Sequence, residues 1–332
     1  MDSLTQIVLG AAVGEAVLGR KIGNKAMLYG AIAGTIPDLD VFASFFTDTV
    51  SALEIHRGFT HSVFFSLLFA PILAFIVTKY ETYKNFKSWT FLFFWAFITH
   101  PILDAQTTWG TQLFWPLDIR LAFKNIFVVD PLYTIPFLVF LILAMLQKKA
   151  TKKRHFYNNL GLGISSSYLL LTMILKGVSY QKFTKELAAQ NINYITIKTK
   201  PTPLNTILWT ANVETKNSFF IGNSSFLDQN PIEFSEYSKN HYLLGAIRKH
   251  PKTKRMIAIS KGWYTINKKD NNLYFNDLRF GVLSMQPNAT NFVFKYKIEV
   301  DANGTPFFIE EPKEKSDGKK LLLDLWVRIN GN

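Results

Sequence analysis

Six apolar stretches crowd the first 177 residues of this 332-residue chain, at 4–18, 26–46, 62–78, 89–107, 126–146 and 160–176. After them the sequence turns polar and ordinary. A bilayer-spanning helix needs about 20 apolar residues, so the longer stretches read as spans and the shorter ones must tilt or pack against neighbours. The expected fold is an α-helical polytopic membrane domain of about six membrane segments over 1–177. A small antiparallel β domain follows over 178–332. Gly10, Gly14, Gly30 and Gly34, at four-residue spacing, suit close helix packing.

The basic residues set an orientation. Alternate loops at 20–25, 79–87 and 148–154 are rich in Lys and Arg, which places them on the cytoplasmic side. Loops 47–61 and 108–125 then face outward, as does everything after Lys176. The expected location is a bacterial inner (cytoplasmic) membrane with the carboxy-terminal domain extracytoplasmic. The net charge of +13 does not call for nucleic acid, because the densest basic run (Lys148, Lys149, Lys152, Lys153, Arg154) directly follows an apolar span. There is no cysteine, which excludes disulfides, thiolate metal sites and a cysteine nucleophile. The amino terminus lacks the basic n-region of a cleavable signal peptide.

Against this apolar background, acids and histidines gather at segment ends: P-D-L-D at 37–40, H-R-G-F-T-H-S at 56–62 and H-P-I-L-D at 100–104. Ionisable groups inside a membrane cost roughly 2.5–3.5 kcal/mol each at mid-bilayer and therefore point to function. In the orientation above, all three motifs collect at the outer face. Asp38 and Asp40 would diverge on a regular helix, but Pro37 breaks it and lets both turn toward one cation; a plain Asx turn is the simpler rival. His56 and His61 cannot share a face of one helix, and Gly58 allows one to come from a loop and the other from a helix start. Thr60 and Ser62 suit capping or hydrogen bonds that fix an imidazole. His100 and Asp104 are four apart, on one helical face. Arg57 either binds an anionic group such as phosphate or snorkels to the interface.

Three imidazoles with several carboxylates and no thiolate suit a divalent ion: zinc first, with manganese or iron as alternatives, and room for two ions. The set can be read as a metal-assisted hydrolase with Asp40, Arg57 and Asp104 in catalytic roles. An ion or metal transporter and a non-catalytic scaffold with a structural metal use the same residues. No H-E-x-x-H, G-x-S-x-G, P-loop or dinucleotide motif is present.

These motifs, with the start M-D-S-L-T-Q and the extension of the third to H-P-I-L-D-A-Q-T-T-W-G, resemble the YdjM/YbcI-type family of membrane-bound metal-dependent hydrolases. The resemblance runs over about residues 1–135. It implies metal candidates Asp38, Asp40, His56, His61, His100 and Asp104. It also implies a lipid bilayer as partner, and the headgroup depth of the site points to a lipid-linked or phosphoester substrate. Many relatives carry a histidine where this chain has Gln6, and the roles of Gln6 and Asp130 stay open. Longer members have a similar tail, with a segment like Asn276-Asp-Leu-Arg-Phe-Gly281.

In that tail, 178–190 reads as helix. Strand signals follow at 194–198, 206–213, 255–260, 262–266, 273–275, 292–300 and 321–329. Residues 268–272 read as a hairpin turn, and His241 and His250 as surface. The orientation is testable directly in this cysteine-free chain. An impermeant outside reagent should label a cysteine at Thr49 and spare one at Lys84; the reverse labelling would invert the topology.

Overall fold

The computed structural model describes residues 1–312 and 318–331. The chain divides into two compact units, Met1–Phe45 with Ile55–Ile174 and Pro203–Asn205, and Phe46–Glu54 with Leu175–Thr202 and Thr206–Asn332.

The first unit is helical. It contains α1 (Ser3–Ile22), α2 (Asn24–Thr35), a 3-10 helix (Ile36–Phe45), a 3-10 turn (Phe59–His61), α4 (Val63–Tyr80), α5 (Phe86–Asp104) and α6 (Pro131–Met145). Between the 3-10 elements lies α3 (Thr49–Ile55), and α7 (Lys152–Ala189) runs on into the second unit. Asp2 caps α1 by accepting from the Thr5 amide, Ser62 caps α4 and Asp130 caps α6. The glycines of α1 and α2 meet backbone to backbone. A methyl group built on Gly10 or Gly14 would strike the carbonyl of Gly30 or Ala26, and one on Gly34 would press on the carbonyl of Gln6. Only residues without a Cβ let the two axes approach this closely. Apolar packing completes the unit, with Val8 and Leu9 against Tyr133, Phe137 and Leu141 on one side. Phe65, Trp89, Phe93 and Phe97 fill the other.

Each of the six apolar stretches contains a helix, but the expectation of six membrane segments is not upheld. Among the described residues only α4 and α7 are both long and apolar enough to cross a bilayer. α6 is apolar but has 15 residues. The reasons differ by helix: α2 has only 12 residues, while Gln6, Glu15, Arg20 and Lys21 in α1, and Lys87, Trp, His100 and Asp104 along α5, dilute the hydropathy that a span requires. Arg154, read in sequence as part of a basic cytoplasmic loop, lies in the first turn of α7. It is buried, and its guanidinium forks onto the buried Glu15 carboxylate (2.6 and 2.5 Å) while also reaching Asn24 at 2.7 Å.

The second unit holds two antiparallel four-stranded meanders. One is β1 (Thr196–Pro201), β2 (Leu208–Glu214), β3 (Ser218–Ser225) and β4 (Phe234–Ser238). The other is β5 (Tyr264–Lys269), β6 (Asn272–Val282), β7 (Phe292–Val300) and β8 (Pro306–Glu310). β5 and β6 close the expected hairpin. Two segments read as strands are helices: α8 (Pro251–Ile259), opened by Pro251 with the His250 ring as cap, and α9 (Gly318–Ile329). His241 is not a free surface residue, since it stacks on Tyr264 with centroids 3.9 Å apart. The N-D-L-R-F-G segment marks a bulge in β6, where pairing with β7 shifts between Asp277 and Val282. Its loose carbonyls at Leu278 and Arg279 accept from Asn212 (2.5 Å) and Lys200 (2.7 Å). Val50, from the short stretch 46–54, is buried in the core of this unit with Leu244, Met256 and Phe275.

The Glu15–Arg154 pair gives a test of the helical unit. Removing one partner of a buried pair costs about 3–5 kcal/mol, whereas replacing both with apolar residues is often neutral. Arg154→Ala should therefore lower the thermal stability of detergent-solubilised protein sharply. The Glu15→Leu/Arg154→Met double variant should recover most of the loss.

Candidate metal centre

Four side chains from three elements converge. Asp38 comes from the 3-10 helix that follows α2, His61 from the turn before α4, and His100 and Asp104 from successive turns of α5. One ligand atom from each lies within 4.8 Å of the other three. The Nε2 atoms of His61 and His100 are 3.1 Å apart, and each is 3.4 Å from Asp38 Oδ1. Asp104 Oδ2 is 3.5 Å from His61 Nε2 and 3.8 Å from His100 Nε2. Ligands about 2.0–2.1 Å from a tetrahedral zinc stand about 3.3–3.4 Å from one another, close to these separations. This group could bind a divalent ion.

The surrounding contacts fit that reading. The Nδ1–H of His100 donates to the Gly34 carbonyl at 2.6 Å, which leaves Nε2 as the lone-pair atom facing the cluster. No hydrogen bond of proper geometry reaches Asp104 Oδ2 among the described residues, although Arg57 Nε lies 2.9 Å away. An orphaned carboxylate oxygen aimed among two imidazoles is what a ligand oxygen looks like. Burial works against a charge on His61, but the facing carboxylates of Asp104, Asp38 and Asp40 outweigh it and push the imidazole up to about 9. The pocket favours positive charge where the cluster sits.

Asp40 and His56 stand one layer out. Asp40 meets His61 from the side opposite Asp38, 3.3 Å from Nδ1. It also accepts from the Arg57 amide (2.8 Å) and the Thr60 hydroxyl (3.0 Å), and pairs with His56 Nδ1 at 2.9 Å. The two carboxylates of P-D-L-D thus grip one imidazole by its two nitrogens. The His56 ring is 6.3 Å from the His61 ring, centroid to centroid, and packs on Trp109. Arg57 is buried and holds φ +58°, a left-handed conformation that costs a side-chain-bearing residue roughly 1–2 kcal/mol. Its ion pair with Asp104 and its bond to Thr107 Oγ1 (3.0 Å) secure that geometry.

Two residues whose roles stayed open in sequence now have places. Gln6 is buried, and its amide nitrogen donates to Asp104 Oδ1 at 3.0 Å. The Met1 amine lies against the same oxygen. Asp130 belongs to the α6 cap and accepts from Tyr168 at 2.9 Å, apart from the cluster. In sequence, Thr107 continues the third motif at the outer end without a role of its own. Only its position one turn beyond Asp104 hinted at a role.

Two helices long and apolar enough to cross a membrane, beside a buried Asp–His cluster that could hold a divalent ion, define the class of this protein. Residues 1–181 match the family described as YdjM inner membrane protein, and the chain belongs to that family. It is similar to Inner membrane protein YbcI of Escherichia coli strain K12, 27% identical over 112 residues, covering 34% of this chain and 64% of that one. It is also similar to the uncharacterized protein YfhP of Bacillus subtilis strain 168, 29% identical over 144 residues, covering 40% of this chain and 42% of the other. The chain thus spans less than two thirds of either relative. No solved structure matches it significantly.

The two layers predict different losses. His61→Ala or Asp104→Asn should abolish stoichiometric metal in detergent-purified protein, read by mass spectrometry. Asp40→Asn should keep the site but weaken affinity by about 10–100-fold, the usual effect of losing a residue that orients a ligand.

Proposed function

We propose that this protein is a metal-dependent hydrolase acting at the outer face of the inner membrane, on a lipid-linked or phosphoester substrate. The observation that carries the reading is the close grouping of Asp38, His61, His100 and Asp104 with a buried arginine against it. Zinc is the first candidate by donor set, and such an ion, when bound, lowers the pKa of a water and polarises a phosphoryl or carbonyl oxygen.

The chain's own residues supply the rest. Asp38 is the most open of the four ligand candidates, with 28% of its side chain exposed, and His56 is 31% exposed. Substrate therefore enters on the side of Asp38 and His56. His56 takes or returns a proton, through one water if needed, while Asp40 on its Nδ1 orients the ring. Arg57 keeps Asp104 in place and adds positive charge beside the substrate's anionic group. The orientation read from the basic loops, with the β unit extracytoplasmic, belongs to this proposal.

A second reading, ion or metal transport, draws on the buried Glu15–Arg154 pair, a polar site on α1 well removed from Gln6. Between the two, Val8, Leu9, Ala11, Ala12 and Val13 are packed in an apolar core, which favours hydrolysis.

The test uses the full chain in vesicles, loaded in turn with zinc, manganese and iron. A panel of lipid-linked phosphomonoesters and phosphodiesters is followed for the products of P–O cleavage, free phosphate from the monoesters and the released alcohol and phosphomonoester from the diesters. Turnover that needs metal, vanishes in His61→Ala and falls by about 10²–10⁴-fold in His56→Ala would support the proposal. Bound metal without turnover on any ester would reject hydrolysis in favour of a structural metal. Metal flux into sealed vesicles without turnover would favour the transporter.

A further inference from the structure

Helix α9 has an inward side that its contacts fix. Leu325 is buried, Arg328 grips Asp228 at 2.5 and 2.7 Å, and the Ile329 carbonyl accepts from Ser225 Oγ at 2.6 Å. The opposite side is apolar and open. Leu322, Leu323, Trp326 and Val327 are 55, 55, 64 and 66% exposed. Steps of one, three and one residue put these four on a single stripe of the helix. Lys319 and Lys320, both exposed, stand in the first turn at the same side and its margin.

Soluble surfaces scatter large apolar side chains singly, and a contiguous row with tryptophan in it marks a contact surface. Lysine beside Trp and Leu on one amphipathic helix is the composition that lies in a membrane interface. Two further facts choose the bilayer over a protein partner. The chain belongs to a family of inner membrane proteins, so a lipid surface is held near α9 at high effective concentration. Its net charge of +13 complements anionic headgroups.

We propose that α9 is a membrane-docking element. It rests along the bilayer in which the chain is embedded, with Leu322, Leu323, Trp326 and Val327 at the acyl boundary and the lysines among lipid phosphates. The proposal stands apart from the hydrolase reading and uses none of the residues of the metal centre.

The absence of cysteine makes the test clean. Full-length Val327→Cys protein carries an environment-sensitive nitrobenzoxadiazole dye in vesicles of phosphatidylethanolamine and phosphatidylglycerol. Lys269→Cys, on the exposed β5–β6 hairpin, serves as control. The expected result is a blue-shifted dye at 327, quenched several-fold more by a nitroxide high on the acyl chain than by one near its end, as for a face about 5–10 Å deep. The dye at 269 should emit as in water. Adding Leu322→Glu/Trp326→Glu, which leaves Leu325 and Arg328 untouched, should abolish the quenching without changing the circular dichroism. A water-like dye at 327 would overturn the proposal. So would a blue shift without lipid quenching, the sign of a protein surface, and so would quenching that persists in the triple variant.

Discussion

The geometry of the candidate metal centre hangs on one hydrogen bond, from His100 Nδ1–H to the carbonyl of Gly34. It turns the other ring nitrogen toward Asp38, His61 and Asp104. Gly34 lies at the end of α2, where α2 packs close on α1, and that closeness requires that Gly10, Gly30 and Gly34 leave no side chain between backbones. Asp38 follows Gly34 by four residues, so the same contact sets the position of a ligand candidate as well as the tautomer of another. A packing feature of the kind usually credited to stability here decides where chemistry can occur.

Charge explains why the centre is built in two layers. Asp38, Asp40 and Asp104 press on two imidazoles and one guanidinium within a buried space, and the three carboxylates around His61 raise its pKa against the cost of burial. Arg57 tempers the excess by its ion pair with Asp104, at the cost of a left-handed backbone. Asp40 tempers it differently, spreading its oxygens over an amide, a hydroxyl and two imidazoles. Asp40 and Asp104 thus each have partners that orient them, and among the described residues Asp104 Oδ2 accepts no hydrogen bond of proper geometry.

What the sequence made legible were the local facts. Apolar runs located the helices, the glycine spacing anticipated the α1–α2 contact, and the i,i+4 spacing put His100 and Asp104 on one face. Which of six candidate ligands point at one spot is tertiary information. Nothing in P-D-L-D distinguishes Asp38, turned to the cluster, from Asp40, turned to the far nitrogen of His61. Arg154 looked like one more member of a basic loop because its partner, Glu15, lies 139 residues away. In the β unit, R-M-I-A-I-S and L-L-L-D-L-W-V-R-I have strand-like composition. Pro251 with its His250 cap, and the inward turn of Leu325, Arg328 and Ile329, made both helical. Strands β3, β4 and β8 carried too little alternation to be read at all.

The short stretch Phe46–Glu54 has a consequence for how this protein can be cut and inherited. It is encoded among the membrane helices, two residues ahead of His56, yet Val50 sits in the core of the β unit and Glu54 holds Arg255 there. The carboxy-terminal half is therefore not a detachable module. A fragment starting near residue 178 would carry a hole where Val50 belongs, and a shortened chain ending there would leave that valine in water. Recombination that exchanged the tail would have to carry this loop with it, so the two halves can diversify only as a pair.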